Sequence, residues 1–308
     1  KPDSASGRLM IWKISTEIVK QNPVTGIGYG NFEGSYGNYQ AQYFAENPDD
    51  EEWILRSDVV RYPYNVFLQV LCEQGIVGLL LFALILFFVF SRSVLFSSDA
   101  NKYKIFLAVA SFSSMVAILV CGQSSYPFDI IPVFIIFFIN LSFLAAMNEA
   151  TFRAGTAMSE RLEIPNRLKV FGLLILICSV LISYSFKEKF IAYKAWIDYP
   201  FYYLNSNELS VYYPILGNNV EFLELYSKKL MEKKKYKEVI ILLRNSNHLL
   251  MYQSFYFTLA KAYTAINQYS QAELAYKTAS DMIPKRAYSK YLWAKFYYDT
   301  QQFRKAQE

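Results

Sequence analysis

The sequence predicts an all-α protein: polytopic transmembrane helices with a polar loop on their outer face, followed by a domain of helical repeats. Three observations predict this. Hydrophobic residues make up 54% of the 308 and aromatic residues 18%, more than a soluble chain usually carries. They are gathered into runs rather than spread at a helix or strand period. Four of these runs, at about 66–90, 105–122, 130–147 and 168–186, read as membrane spans. From Lys187 onward the long runs stop, and small and aromatic residues recur 34 positions apart.

Residues 1–65 read as the outer polar loop, with amphipathic helices. Arg8-Leu9-Met10-Ile11-Trp12 opens the first helix, and Ile14, Ile18 and Val19 continue its apolar face. Asn22-Pro23 ends it, because a proline pushes the residue before it out of the α region. The stretch PVTGIGYGNF, with Gly26, Gly28 and Gly30, reads as a flexible turn; no apolar strand precedes it, so a dinucleotide-binding loop is a poor fit. Tyr36–Phe44 reads as an interfacial helix and NPDDEE as an acidic loop. Val66–Phe90, at about 1.5 Å per residue, exceeds a ~30 Å bilayer core. The tight SSYPFD loop makes spans two and three an antiparallel hairpin. Loop 91–104 carries Arg92, Lys102 and Lys104, and loop 148–167 carries Arg153, Arg161 and Arg167, whereas 123–129 has no Lys or Arg. The two basic loops therefore face the cytoplasm, and residues 1–65, 123–129 and everything after about 187 face outward. Residues 187–219 read as a linker. In 220–308, Tyr256, Leu259, Ala260 and Tyr263, then Ala272, Tyr276, Ala279 and Pro284, follow the tetratricopeptide pattern, and the next copy falls on Ala294, Tyr297 and Ala306.

Composition also excludes. The formal charge is +5, and no run of five Lys/Arg exists, so there is no nucleic-acid footprint. Cys72, Cys121 and Cys178 lie in separate apolar runs without a CxxC pair, which implies neither a zinc site nor a disulfide framework. The chain opens without Met, as a piece of a longer protein would.

The order Gly7-Arg8, Trp12, Pro23, Gly26, Gly28, then Tyr64-Asn65, Leu68, Glu73, Gly75 and Gly78 resembles the O-antigen ligase and polymerase family of bacterial membrane glycosyltransferases. SSYPFDIIP is similar to the short outer loop of members with a periplasmic tetratricopeptide tail. The resemblance covers about residues 7–90, with the following spans in the right number and order. It implies an inner-membrane enzyme that attaches or joins glycans carried on undecaprenyl pyrophosphate at the periplasmic face, without a nucleotide sugar, a metal or another cofactor. It further implies about eight more spans and a second outer-face arginine upstream. Arginine suits a lipid pyrophosphate because its guanidinium stays protonated and binds phosphate oxygens in pairs.

By this resemblance Arg8 is the pyrophosphate-binding residue; Arg56 and Arg61 are further candidates that no motif carries. Many members place a histidine just before the Asn, to activate the acceptor hydroxyl. Here Tyr62 or Tyr64 stands there, in Arg61-Tyr62-Pro63-Tyr64-Asn65. Tyrosine, with a pKa near ~10, is a poor base at neutral pH. Either electrostatic stabilisation of the leaving group carries catalysis, or another residue is the base, or the chain is inactive. The one histidine, His248, lies in the repeats and reads as a surface or inter-helix residue. Glu73 lies deep enough in its span to need a partner, either an arginine of another span or, as a catalytic group, the substrate. Asp129, after Pro127 in the outer loop, reads first as a cap or turn residue and only second as a catalytic one. Gly75 and Gly78 read as close helix contacts.

Two other function classes compete. A membrane-anchored scaffold would use the repeats to bind envelope proteins, as such arrays can. The repeats could also present an acceptor to an active enzyme, including a protein hydroxyl in the manner of a protein O-oligosaccharyltransferase. A transporter is disfavoured, since no intramembrane ionisable pair or broken-helix repeat is visible in the four spans.

Overall fold

The computed structural model describes residues 2–93, 102–154, 166–198, 201–246 and 252–307. His248 and most of both basic loops lie outside the described residues. Every regular element among them is helical, which bears out the all-α expectation. The chain forms two compact units, 1–158 with 281–285, and 159–280 with 286–308.

The first unit begins with α1 (Pro2–Gln21), which stops one residue short of Asn22-Pro23. Met10, Ile14 and Ile18, four residues apart on one face, are buried. They pack on Phe32, Tyr36 and Phe44 of α2 (Phe32–Glu46) and on Cys72. A short α3 (Glu51–Arg56) is capped by the Asp50 carboxylate, which accepts from the Trp53 N–H at 3.2 Å.

The next helix, α4 (Val66–Ser93), is not a straight rod. It breaks at Gly75, whose φ of 66° and ψ of −166° lie in a region that only glycine visits readily. The first piece, up to Gln74, shares the buried core of α1 and α2 through Cys72 and Leu68. The second piece turns a row of large apolar side chains outward, with Leu80 61% and Phe87 65% exposed. Its 18 residues from Ile76 to Ser93 measure about 27 Å at ~1.5 Å per residue. The helix read as a span from Val66 thus carries a break at Gly75.

The break is filled by the glycine loop. Ile27 and Gly28 donate their N–H groups to the carbonyls of Cys72 (2.9 Å) and Glu73 (2.8 Å). On the other side, Ile76 and Val77 donate to the carbonyls of Pro23 (2.9 Å) and Val24 (3.3 Å). Four backbone groups that a helix end leaves unpaired thereby find partners, which is what makes a break next to a membrane tolerable. A Cβ at Gly75 would meet the Val24 carbonyl, and one at Gly26 (φ 66°) would meet the Glu73 carbonyl. The loop read as a flexible turn is therefore fixed, and Gly75 serves loop insertion rather than helix–helix contact.

Two further helices, α5 (Lys102–Cys121) and α6 (Ile131–Ala154), pack on each other and on the second piece of α4. Ala108, Met115, Phe137 and Leu144 form their shared core, and Asn140 Nδ2 donates across to Ser114 Oγ at 3.1 Å. The N–H of Val66 donates to the Gly122 carbonyl at 2.7 Å, tying the start of α4 to the end of α5. Among the described residues one helix, Val66–Ser91, is long and apolar enough to cross a membrane; Ile105–Cys121 and Ile131–Ala145 are shorter apolar stretches.

In the second unit α7 (Asn166–Asp198) runs unbroken through the position of the fourth apolar run and on for another turn and more. Ala192 is buried, and with Ala195 and Trp196 it joins a core containing Phe201, Leu209 and Phe222. Much of 187–219, expected as a linker, is therefore helical: it comprises the end of α7, a 3-10 turn at Phe201–Tyr203, and α8 (Ser206–Leu216). Asn205 and Glu208 close a capping box at the start of α8.

The remaining helices are α9 (Val220–Glu232), α10 (Tyr236–Asn245), α11 (Gln253–Ala265), α12 (Tyr269–Met282), α13 (Ala287–Asp299) and α14 (Phe303–Gln307). One turn recurs between them. Lys234, Asn267 and Gln301 all take left-handed φ, at 58°, 60° and 60°. The residue after each donates its N–H five positions back: Lys235 to Leu230, Gln268 to Tyr263, Gln302 to Tyr297. This is the six-to-one bond of a Schellman closure, and its copies lie 33 and 34 residues apart. Ala260, Tyr263, Ala272, Tyr276 and Ala279 are buried.

Candidate functional site

The site lies where α1, the segment 61–65 and the loop before α6 meet the start of α4. Asn65 fixes that start: its side-chain oxygen accepts from the Leu68 N–H at 3.0 Å, and its carbonyl from the Gln69 N–H at 2.9 Å. The Trp12 indole donates to the Pro63 carbonyl at 2.8 Å and so pins the preceding turn to α1. Between these anchors Tyr64 is held at φ 52°, a left-handed conformation that a bulky residue rarely adopts. Such strain costs about 1–3 kcal/mol and collects at functional positions.

The strained Tyr64 brings its ring under Arg8, whose guanidinium carbon lies 5.6 Å from the ring centroid. That contact orients the guanidinium without neutralising it. Tyr126, from the loop before α6, meets Tyr64 edge-on at 5.5 Å and stacks with Tyr62 at 4.6 Å and 15°. One cationic group and three tyrosines thus come together from three separate parts of the chain.

The other two arginines each meet a carboxylate, and Arg61 also acts on Tyr62 through its charge. Arg61 pairs with Glu33 at 3.4 Å (Nε to Oε1). Arg56 donates to the Glu52 carbonyl at 2.7 Å and lies 3.3 Å from the Glu52 carboxylate. That carboxylate also accepts from Ser6 Oγ at 2.7 Å, so Arg56 is tied to the start of α1 through Glu52.

Glu73 is buried in the first piece of α4. Its carboxylate accepts from the Phe32 N–H at 3.2 Å and also from the Gly30 N–H. The residue at the N-terminal end of α2, Asn31, makes no side-chain cap, so Glu73 caps that helix from across the fold. The partner that the sequence required for this carboxylate is thus a helix N-terminus, not an arginine. The Gln69 side chain hydrogen-bonds both Glu73 and Asp129, linking the break in α4 to the outer loop.

Two groups here have displaced acidities. The Tyr62 phenol is pushed above its ordinary value, first by burial and then by the charge of Asp129. It therefore stays protonated at neutral pH and can donate a hydrogen bond, but it cannot take a proton. The Asp129 carboxyl is pushed upward by partial burial, with the Gln69 hydrogen bond acting the other way. Among the described residues no group of three or more His, Cys, Asp or Glu could hold a metal.

Sequence reasoning named Arg8, Tyr62 and Tyr64, and the structure brings all three to one place. It singled out the loop holding Tyr126 without giving that ring a role. It gave none to Glu33 or Gln69, whose only signal is position in the fold.

No curated protein and no solved structure matches the chain. Residues 1–83 match the family model for O-antigen ligase. That stretch runs from α1 through the glycine loop, the strained tyrosine turn and the break in α4, and ends inside the apolar half of that helix. Residues 1–83 are thus similar to O-antigen ligase, the family that the ordered motif resembles.

Proposed function

We propose that the chain is part of an inner-membrane glycosyltransferase that takes a glycan from undecaprenyl pyrophosphate at the periplasmic face, either to ligate it to an acceptor or to polymerise it. The observation that carries this reading is the Arg8–Tyr64–Tyr126 cluster at the head of an apolar helix, of which Arg8 and Tyr64 lie within the stretch that matches O-antigen ligase. A lipid pyrophosphate leaves with charge that must be held at the membrane surface. Arg8 supplies a permanently protonated fork for it, and Tyr64 beneath fixes where the fork points. Tyr62 and Tyr64 donate hydrogen bonds to the substrate, Tyr62 as a permanently protonated phenol. Arg61 and Arg56, each on its own carboxylate, are secondary electrostatic contributors. The exposed apolar belt on α4, α5 and α6, together with α7, supports four membrane spans with the basic loops inward. The recurring left-handed turns at 234, 267 and 301 support tetratricopeptide repeats, which would lie in the periplasm and present partner proteins or acceptor.

The test compares surface glycan in cells carrying full-length Arg8→Ala and Arg8→Lys with wild type. Alanine abolishes the ladder, and lysine, a point charge without the fork, leaves it strongly reduced. An unchanged ladder in Arg8→Ala rejects the assignment. The missing histidine beside Asn65 favours a second reading, a catalytically silent scaffold. In that case purified full-length protein would fail to turn over the lipid-linked glycan while its repeats still retained envelope proteins.

A further inference from the structure

With tyrosine in the place of the usual histidine, the acceptor hydroxyl has no evident base, and the Tyr62 phenol is held protonated. We infer that Asp129 is the base that takes the acceptor's proton, in a saccharide subsite walled by the Tyr62–Tyr126 stack. The inference rests on the glycosyltransferase reading above.

Four observations carry it. Asp129 is on the same tight turn as Tyr126: its N–H donates to the Tyr126 carbonyl at 3.2 Å. Tyr126 contacts Tyr64 at 5.5 Å, and Tyr64 carries Arg8, while the Asp129 charge is felt by Tyr62, the ring stacked on Tyr126. Asp129 is only partly buried and keeps an exposed side, as a group that must meet an incoming acceptor has to. Its carboxylate is also held rather than free to swing, because the Gln69 side chain donates to it. Tyr62 and Tyr126 cover one face of each other, which leaves the outer face of the Tyr62 ring to take the apolar face of a pyranose ring.

The step balances as follows. An Asp129 carboxylate oxygen takes the proton from the acceptor O–H. The acceptor oxygen forms a bond to the anomeric carbon as the bond from that carbon to the phosphate oxygen breaks. The electron pair leaves on the pyrophosphate, where Arg8 meets it, and the proton on Asp129 passes to water afterwards. Attack opposite the leaving group inverts the anomeric centre. The titratable or charged groups that face Asp129 are Tyr62 from the 61–65 segment, Glu73 from α4 and Tyr126 on its own loop, with Arg61 beyond Tyr62. Partial burial raises the Asp129 carboxyl, which makes it a stronger base and moves the acid limb of the rate profile upward from the ordinary aspartate value.

The experiment uses full-length protein. Membrane vesicles from the producing cell hold donor and acceptor together, so transfer is followed there across pH, while purified protein is titrated with undecaprenyl pyrophosphate as the probe. Asp129→Asn is expected to slow transfer by about 100- to 10,000-fold, the usual worth of a general base, to lose the acid limb, and to bind the probe within about twofold of wild type. Asp129→Glu restores part of the rate with a displaced limb. Transfer by Asp129→Asn within a few-fold of wild type overturns the inference and leaves the role of Arg8 standing. Loss of probe binding as deep as in Arg8→Ala also overturns it, since Asp129 would then serve the donor or the fold. Wild-type protein that neither binds the probe nor transfers glycan overturns the glycosyltransferase reading itself.

Discussion

Replacing Gly75 by alanine attacks the splice between the glycine loop and α4. The new Cβ would lie against the Val24 carbonyl and 2.7 Å from the Gly26 nitrogen, in a conformation open only to glycine. Leaving that conformation avoids about 1–3 kcal/mol of strain, and it lets α4 run straight. A straight helix returns the Cys72 and Glu73 carbonyls to its own ladder and expels the loop. Four loop–helix hydrogen bonds, those of Ile27, Gly28, Ile76 and Val77, are then lost at about 0.5–1.5 kcal/mol each. Those bonds hold the closed form of both proteins, so the variant differs from wild type by the strain, about 1–3 kcal/mol, or about 5- to 150-fold in a local opening equilibrium. Hydrogen–deuterium exchange on the detergent-solubilised chain reads this directly: the amides of Ile27 and Gly28 in Gly75→Ala should exchange about 5- to 150-fold faster, while 76–93 stays protected. Gly7→Ala is the matched control, since its Cβ meets nothing within 4 Å and should stabilise α1 by about 0.5–1 kcal/mol. Unchanged protection at Ile27 and Gly28 in Gly75→Ala would refute the splice.

Three other outcomes follow from named contacts. Glu73→Gln keeps one acceptor for the N–H groups of Gly30 and Phe32 but loses the charge, and should destabilise the first unit by about 1–3 kcal/mol; a chemical-denaturation midpoint equal to wild type would show that the cap contributes nothing. Asn140→Leu removes the bond to Ser114 and should cost only about 0.6–1.7 kcal/mol, the measured range for such bonds between membrane helices, with a loss above 3 kcal/mol contradicting that role. Glu273 accepts from the Tyr297 hydroxyl at 2.7 Å and from Lys305 at 3.0 Å, and its carboxyl is held below the ordinary range first by the tyrosine and then by the lysine. A depressed carboxyl contributes stability above its unfolded pKa and loses it as pH falls through the folded value. The Tm gap between wild type and Glu273→Gln should therefore be present at pH 7 and close below about pH 4; a gap independent of pH would sink the assignment.

The all-α class was legible because apolar runs and a 34-residue recurrence report helices and helix pairs whatever their surroundings. The buried face of α1 was legible from Ile14 and Ile18, since spacing alone sets which side turns inward. The break at Gly75 was not. A hydropathy run is blind to backbone direction, and what opens the helix is a loop some fifty residues upstream. Glycine spacing said that backbone would approach closely somewhere, without saying what. The turns at Lys234, Asn267 and Gln301 were hidden for a related reason: none of the three is glycine, so composition does not mark a left-handed closure. At the site, the resemblance supplied Arg8 and the tyrosines, while Tyr126, Gln69 and Glu33 gain their positions from loops that meet only after folding.

The account depends most on Arg8 facing the outer surface, and labelling tests it most directly. Tyr29, on the same outer segment, is 80% exposed. Tyr29→Cys would be made in the full-length protein with Cys72, Cys121 and Cys178 replaced by alanine, then treated with a membrane-impermeant maleimide in cells whose outer membrane alone has been opened. Labelling should be complete under those conditions, and labelling only after the inner membrane is also broken would contradict the account.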